Sequence, residues 1–179
     1  MTQIGTVYGQ ALYSLAKEEG LSQKILEEMK ALADVLRREP DYLRLLAAPN
    51  LSKEERCGIL EESFRDRIHP YLLNFMKILT EKGYVRRFDE CCKAYTQQYY
   101  EDNGILPVCA VTAVALTDAQ AEKLTAKLAQ ITGKKVELSN RIDEGCLGGV
   151  RLDYDGKRVD GTVRNRLDTI RSMLKDTVL

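Results

Sequence analysis

The chain has 179 residues, of which 44% are hydrophobic and 30% are charged, a composition typical of a globular protein with one medium-sized domain or two small ones. Its 27 basic and 27 acidic residues cancel, which argues against a uniformly basic surface of the kind that binds nucleic acid. No apolar run approaches the roughly 20 residues that span a bilayer. Residues 1–5 lack the basic start and apolar block of a secretory signal, so none is predicted.

The first 105 residues show the three-and-four spacing of amphipathic helices. Gly20 ends the first predicted helix, and the second runs from about Leu21 until Pro40 stops it. A short third helix is predicted over Tyr42–Ala47. The apolar positions that define the first two helices are Ile4, Val7, Tyr8, Ala11, Leu12, Leu15, Ala16, Ile25, Met29, Leu32, Ala33 and Leu36.

Three more helices are predicted before residue 105. Ser52 and Glu55 have the spacing of a capping box, which marks the start of the fourth helix. The fifth opens at His69-Pro70, with proline in its favoured first turn, and it is apolar around more of its circumference than one small bundle needs to bury. Gly83 ends it. The sixth predicted helix, residues 84–102, buries Val85, Phe88, Cys92, Tyr95 and Tyr99.

The pattern after residue 104 mixes strands with a helix. Leu106–Leu116 interleaves Val with Thr and predicts a strand. Thr117 and Gln120 form a second capping box, and Gly133 ends the helix that they open. Val136–Ile142 predicts another strand. The apolar stripe of the intervening helix consists of Ala121, Leu124, Leu128 and Ile131.

A hairpin and a last helix complete the predicted elements. Asp155-Gly156 favours a tight turn, because both residue types tolerate positive φ, and it separates the strands Leu147–Tyr154 and Lys157–Val159. The last helix begins at Asp160, and its apolar stripe is Val163, Leu167, Ile170 and Leu174. The fold class is therefore α+β overall, with an all-helical domain at residues 1–104 and a small α/β domain at residues 105–179.

No group of side chains indicates catalysis or a metal site, so no catalytic residue, metal or cofactor is predicted. The only histidine, His69, suits a helix cap or a solvated surface position. Gly148-Gly149 suits a bulge or close backbone packing, since Asp143-Glu144 just before it would repel phosphate. The cysteines lack C-x-x-C spacing and are predicted to be reduced, buried thiols; they are Cys57, Cys91, Cys92, Cys109 and Cys146.

Motifs with a characteristic order run along nearly the whole chain. In the first half they are Tyr8-x-x-Ala11-Leu12, Ala48-Pro49-Asn50-Leu51-Ser52, Asn74-Phe75 and Arg86-Arg87; in the second half they are Ala115-Leu116-Thr117, Thr132-Gly133-Lys134-Lys135-Val136, Ile142-Asp143, Leu147-Gly148-Gly149-Val150 and Asp160-x-x-Val163. In their order and spacing they resemble the delta subunit of F-type ATP synthases, the family of the mitochondrial oligomycin-sensitivity-conferring protein. Cys146 and Gly161-Thr162 depart from the family pattern by small substitutions.

The resemblance implies an N-terminal six-helix bundle, a small C-terminal α/β domain and no catalytic activity. It implies a stator subunit of a proton-translocating ATP synthase, present in one copy, that links the catalytic head to the peripheral stalk and resists rotor torque. The implied partners are the N-terminal helix of an alpha subunit and the b-subunit stalk, with no nucleic acid. The expected location is the cytoplasmic face of a bacterial plasma membrane, peripheral and held there only through the complex. Met1 and the lack of a transit peptide favour this bacterial origin over a mature plastid one, which the sequence leaves open.

The resemblance also implies positions for a binding site. The groove for the alpha-subunit helix lies between the first and fifth helices. Its implied residues are Tyr8, Ala11, Leu12, Leu15, Asn74, Phe75, Ile78 and Leu79. In the C-terminal domain, Gly148, Gly149, Asp160 and Val163 are implied to be structural, with Asp160 capping the last helix.

Two other functions remain open from the sequence. The first is a stand-alone adaptor that binds an amphipathic helix in the same groove but needs no stalk partner. The second is a small RNA-binding module that uses Gly148-Gly149 and Lys134-Lys135. The zero net charge and the lack of an exposed aromatic pattern argue against RNA binding.

Overall fold

A computed structural model describes residues 2–48, 50–146, 148–154, 156–163 and 165. Within these ranges lie seven α-helices and one four-stranded sheet, so the expected mixture of helix and sheet is present. The chain divides between Tyr99 and Tyr100 into two compact units, close to the boundary predicted at residue 104. We call residues 1–99 the helical unit and residues 100–179 the sheet unit.

The helices of the first half follow the predicted order, with two differences. The third helix begins at Pro40 rather than Tyr42, because proline fits the first turn of a helix. The sixth α-helix begins at Phe88, after a short 3-10 helix at Val85–Arg87, and not at Tyr84. The α-helices are α1 Gln3–Glu18, α2 Ser22–Arg38, α3 Pro40–Leu46, α4 Lys53–Phe64, α5 Pro70–Glu81 and α6 Phe88–Asp102.

Local side-chain contacts set several of these helix ends. At the start of α4, the Ser52 hydroxyl accepts the Glu55 N–H, and the Glu55 carboxylate accepts the Ser52 N–H, which completes the predicted capping box. At the start of α5, Nδ1 of His69 accepts the Tyr71 N–H at 3.3 Å, so His69 acts as a cap. Gly83, with φ of 75°, follows the end of α5 in the left-handed conformation that glycine tolerates.

One apolar core holds the helical unit together. Its largest fully buried side chains include Tyr95, Ile25 and Met29. Tyr95 packs edge-to-face on Tyr13 at 5.2 Å and donates its hydroxyl hydrogen to the Ser22 carbonyl, so this buried phenol has a partner. Tyr99, predicted to be buried, is only partly buried against this core.

The sheet unit has the strand order β2-β1-β3-β4. β1 pairs with β2 in parallel, while β3 pairs antiparallel with β1 and with β4. α7 contributes Leu128 and Ala129 to a small apolar cluster with side chains of β1 and β2. The elements are β1 Ile105–Thr112, α7 Asp118–Thr132, β2 Lys135–Ile142, β3 Val150–Tyr154 and β4 Lys157–Asp160, with a 3-10 helix at Glu144–Cys146.

The end of β1 differs from the prediction, and α7 is more exposed than its apolar stripe suggests. The first strand stops at Thr112 rather than Leu116, because the Asn140 side chain bonds the chain just beyond the strand end: its amide donates to the Thr112 hydroxyl and its oxygen accepts the Leu116 N–H. The apolar stripe of α7 is not buried as a whole, since Ile131 is 72% exposed and no residue of α7 is fully buried.

The glycine pair lies against the backbone that follows β4. Gly149 has φ of 80°, and a Cβ there would lie 2.7 Å from the Gly161 carbonyl oxygen, so only glycine fits. The Gly148 carbonyl accepts the Val163 N–H at 3.0 Å. The two glycines therefore fix where the chain leaves β4.

Thr162, rather than Asp160, occupies the capping position after β4. The Asp160 carboxylate accepts the N–H and the hydroxyl hydrogen of Thr162, at 3.0 and 2.6 Å. The Thr162 hydroxyl in turn accepts the Asn165 N–H at 3.3 Å. Asp160 therefore orients the capping residue Thr162 and does not itself cap the helix, which corrects its predicted role as the cap.

Parts of the predicted hairpin and last helix lie outside the described residues. The hairpin is supported by the antiparallel pairing of Tyr154 with Lys157 and by Gly156 at φ of 69°, but Asp155 is not described. The predicted strand residue Leu147 lies outside the described ranges too. So do Leu167, Ile170 and Leu174 of the last helix.

Candidate functional site: an apolar groove between two helices

An open groove of about 470 Å³ lies between α1 and α5. Apart from one amide and the hydroxyls of two tyrosines, its lining is apolar. Seven of the eight residues implied for a partner groove line it, and Tyr71 is an addition. The lining residues are Tyr8, Ala11, Leu12, Leu15, Tyr71, Asn74, Phe75 and Ile78.

The difference between Leu79 and Tyr71 follows from the helical period. Leu79 is fully buried in the core of the helical unit and does not line the groove, which corrects its predicted place. Tyr71 precedes Asn74 by three residues and Ile78 by seven, so it shares their face of α5. Because that spacing is visible in the sequence, it could have identified Tyr71 as a groove residue.

α1 is positioned by close contact with α6. A Cβ at Gly9 would lie 2.4 Å from the Cys91 carbonyl oxygen, and one at Gly5 would lie 2.6 Å from Cβ of Glu90. Since real Cβ atoms do not approach other atoms so closely, the two glycines allow the helices to touch along their backbones. This contact leaves Ala11 exposed on another part of the α1 surface, where it lines the groove.

The start of α1 is fixed by a carboxylate on α6. The N–H and the hydroxyl of Thr2 donate to Oε2 of Glu90 at 2.8 and 2.5 Å, and Arg87 donates to Oε1 at 2.7 Å. The bonds from Thr2, with a smaller contribution from Arg87, lower the pKa of Glu90 from 4.5 to about 2. The carboxylate is therefore ionised at neutral pH. It holds the N-terminal end of α1, which is the first wall of the groove.

Large apolar side chains are exposed at the groove. Leu15 is 40% exposed and Ile78 is 45% exposed, while Val7, one turn before Ala11 on α1, is 56% exposed. Below them, Leu12 and Phe75 are almost fully buried and form the floor. Exposed apolar side chains beside a concave apolar floor are typical of a protein interaction site.

The described residues offer little for catalysis. They include no group of three or more His, Cys, Asp or Glu side chains arranged to hold a metal ion. All five cysteines are free; Cys57 and Cys109 are only partly buried, unlike the other three, which are buried as expected. Burial raises the pKa of Cys91 to about 11, so its thiol stays protonated and unreactive at neutral pH.

Comparison with known proteins places the chain in a family. Residues 4–174 match the profile of the family described as ATP synthase delta (OSCP) subunit. The chain belongs to this family. Proteins named ATP synthase subunit delta from Chlorobium chlorochromatii and Alkaliphilus oremlandii are each 31% identical to it, over 93% of this chain and 93% of theirs. The protein named ATP synthase subunit delta from Lactobacillus gasseri is 32% identical over 96% of this chain and 94% of its own length.

A solved structure shares the fold of this delta (OSCP) family member. A chain in the cryo-EM structure of the Toxoplasma gondii mitochondrial ATP synthase hexamer aligns with a TM-score of 0.76 and 18% identity, covering 97% of this chain and 98% of that one. As a member of the family, the chain is a structural subunit of ATP synthase and not a catalytic one. Within the described ranges, none of the helices has the length and apolar character needed to cross a membrane.

Proposed function

We propose that this delta (OSCP) family member is the stator subunit that links the catalytic head of a proton-translocating F-type ATP synthase to its peripheral stalk, so that the head resists rotor torque. The observation that supports the proposal best is the apolar groove between α1 and α5. Seven of the positions that family resemblance assigns to a partner helix line it. A structural subunit without catalytic groups acts through such binding surfaces.

The proposed occupant of the groove is the N-terminal helix of an alpha subunit. An amphipathic helix binds by placing its apolar face in a hydrophobic groove, and the partly exposed Leu15 and Ile78 would be covered by it. A few buried anchors supply most of the binding energy in such interfaces. The floor formed by Leu12 and Phe75 is where those anchors would insert.

The remaining proposed contacts follow the family architecture. Helices α1 to α6 would act as a six-helix bundle that holds the head, and the sheet unit would meet the b-subunit stalk. Two contacts on one chain retain both partners more firmly than either contact alone. The subunit would be present in one copy, peripheral at the cytoplasmic face of a bacterial plasma membrane and held there only through the complex.

The groove is tested by calorimetric binding of the full chain to a peptide of the alpha-subunit N-terminal segment from the same organism. Ala11→Asp puts a charge into the groove at an exposed position, so the helical unit still folds. We expect an affinity loss of at least about 30-fold, because an unpaired carboxylate would be buried against apolar side chains. Retention of wild-type affinity would refute the groove assignment.

Gln10→Asp is the matched control. Gln10 is the neighbour of Ala11 on α1 and is also exposed, but it does not line the groove. It introduces the same side chain and the same change in charge, so it should leave the affinity within about 2-fold of wild type. Circular dichroism of both variants checks that the helices are intact. An equal loss in the two variants would mean that the charge acts on the fold rather than on the groove.

A further inference from the structure

A second, polar pocket of about 440 Å³ lies beside the groove. Asn74 lines both. On α5, Leu73 and Lys77 face the polar pocket, whereas Tyr71 and Ile78 face the groove. Asn74 is therefore a ridge between the two, and a ligand seated in the groove reaches the polar pocket by crossing this one exposed side chain.

The pocket is lined by four cationic side chains and three carboxylates. The cations are Lys24, Arg65, Arg67 and Lys77, the carboxylates are Glu28, Glu61 and Asp66, and His69 is also present. These groups come from α2, from the end of α4 with the loop after it, and from α5.

Two of the carboxylates are already engaged within the pocket. Glu61 contacts Arg65 at 2.9 Å and Lys77 at 3.2 Å. Glu28 accepts the backbone N–H of His69 at 2.6 Å. By contrast, the side chains of Lys24 and Arg67 form no ion pair with any residue in the described part of the chain.

The loop that carries Arg67 has an unusual backbone conformation. Asp66 has φ of 64° and is the sole residue other than glycine with positive φ in the described ranges. Residues other than glycine rarely adopt this backbone conformation, and those that do are concentrated in loops that bind ligands. Here the conformation lies in the lining of the polar pocket.

The opposite border of the groove, on α1, is neutral or acidic. The exposed α1 residues beside Ala11, which are Val7 and Ser14, are neutral. Glu18, seven residues after Ala11 and therefore on the same face of α1, is also exposed and is acidic. Cationic side chains therefore border the groove on the α5 side alone along this stretch. Such an asymmetric arrangement distinguishes the two flanks of a bound helix and so favours one orientation over its reverse.

We infer that the polar pocket binds carboxylate side chains on one flank of the amphipathic helix that occupies the groove; this rests on the proposed function of the groove. A helix with its side chains is about 10 Å across, so residues beside its apolar face overhang the Asn74 ridge. Their carboxylates pair with Lys24 and Arg67, which form no ion pair within the described part of the chain, and the Asn74 amide also donates to them. The partner is thus an amphipathic helix with acidic residues on the flank nearest α5.

The test compares Lys24→Glu and Arg67→Glu with Lys123→Glu, an exposed residue of α7 in the sheet unit that has the same change in charge. The probe is the alpha-subunit N-terminal peptide from the same organism, measured with the full chain by stopped-flow and calorimetry. We expect each pocket variant to weaken binding by about 3- to 10-fold at low salt, mainly through slower association. The difference should vanish near 1 M salt, where the screening length is about 3 Å.

A second peptide, with its acidic side chains replaced by their amides, should bind wild type as weakly as the natural peptide binds the pocket variants. If the natural peptide binds tightly and Ala11→Asp abolishes binding, but Lys24→Glu and Arg67→Glu behave like Lys123→Glu, the charged pocket plays no part and this inference is overturned while the groove stands. If wild type does not bind the natural peptide, the proposed function fails and this inference fails with it.

Discussion

Replacing Gly9 by alanine tests the close contact that positions the first wall of the groove. A methyl group at Gly9 would lie 2.4 Å from the Cys91 carbonyl oxygen and 2.9 Å from Cβ of Ala94. The oxygen belongs to the backbone of α6 and has no rotamer by which to move away. Because unstrained contacts to carbon lie near 3.5 Å, α1 would have to shift by roughly 1 Å.

The size of the effect is the difference between two opposing contributions. Overpacking a tight interface destabilises by about 1–3 kcal/mol, and a clash with backbone belongs at the upper end. Alanine in a helix stabilises by about 1 kcal/mol relative to glycine. We therefore expect Gly9→Ala to lower the free energy of unfolding by about 2 kcal/mol, which lowers Tm by roughly 8–16 °C for a unit of this size.

Gly58→Ala supplies the matched control. Gly58 is also inside a helix, α4, but a Cβ there meets nothing within 4 Å. Only the gain in helix propensity remains, so this variant should be more stable than wild type by up to about 1 kcal/mol. Thermal unfolding of the full chain, followed by far-ultraviolet circular dichroism, reports mainly on the helical unit. If Gly9→Ala proves as stable as Gly58→Ala, α1 and α6 do not approach as described.

Two further predictions concern α5 and α6. Leu79→Ala should lower the free energy of unfolding by about 2–5 kcal/mol, because Leu79 is fully buried. Ile78→Ala should change the free energy of unfolding by less than about 1 kcal/mol yet weaken binding of the alpha-subunit peptide. Chemical denaturation measures the first effect and calorimetry the second, and an unfolding loss at Ile78 with a binding loss at Leu79 would contradict the groove. For Glu90, the folded pKa of about 2 lies below the ordinary 4.5, so its stabilising effect is present above pH 4.5 and is lost as the pH falls toward 2. Glu90→Gln should remove that part of the acid-induced loss of stability. The measurement is the urea midpoint of wild type and of Glu90→Gln between pH 5 and 2.5. If both midpoints fall equally with pH, Thr2 does not bind this carboxylate.

Features set by neighbours along the chain were predictable from the sequence. The capping boxes at Ser52 and Thr117 form with both of their hydrogen bonds, because all the groups involved lie within four consecutive residues. Gly133 ends α7 in the left-handed conformation for a similarly local reason. Helix positions and most of the groove residues follow from such local signals together with the family resemblance.

Features set by distant residues were not predictable in the same way. The end of β1 depends on Asn140, whose amide bonds the Thr112 hydroxyl from 28 positions away. The sequence of β1 alone continues to favour a strand past that point, since Val and Thr persist. Likewise, Ile131 has the spacing of a core residue, but only the packing of the sheet decides that it stays exposed.

Helix α5, which lines the groove, also contains residues whose burial was predictable only in part from the sequence. Leu79 and Ile78 are adjacent apolar residues, yet one is fully buried and the other is 45% exposed. Helical period separates their directions by about 100°, but the sequence does not state which direction faces the core. Asp160 and Thr162 are a comparable case, because both residue types cap helices and only the backbone path after β4 selects Thr162.

The order of the strands also bears on how the unassembled subunit avoids aggregation. In the described sheet the two outer strands are β2 and β4. β4 has only four residues, including Lys157 and Arg158, and β2 carries Lys135, Glu137 and Arg141 at exposed positions. Short or charged outer strands discourage a second copy from adding its own strand to the sheet. We therefore expect unassembled copies of the subunit to resist strand-to-strand association at both of these edges.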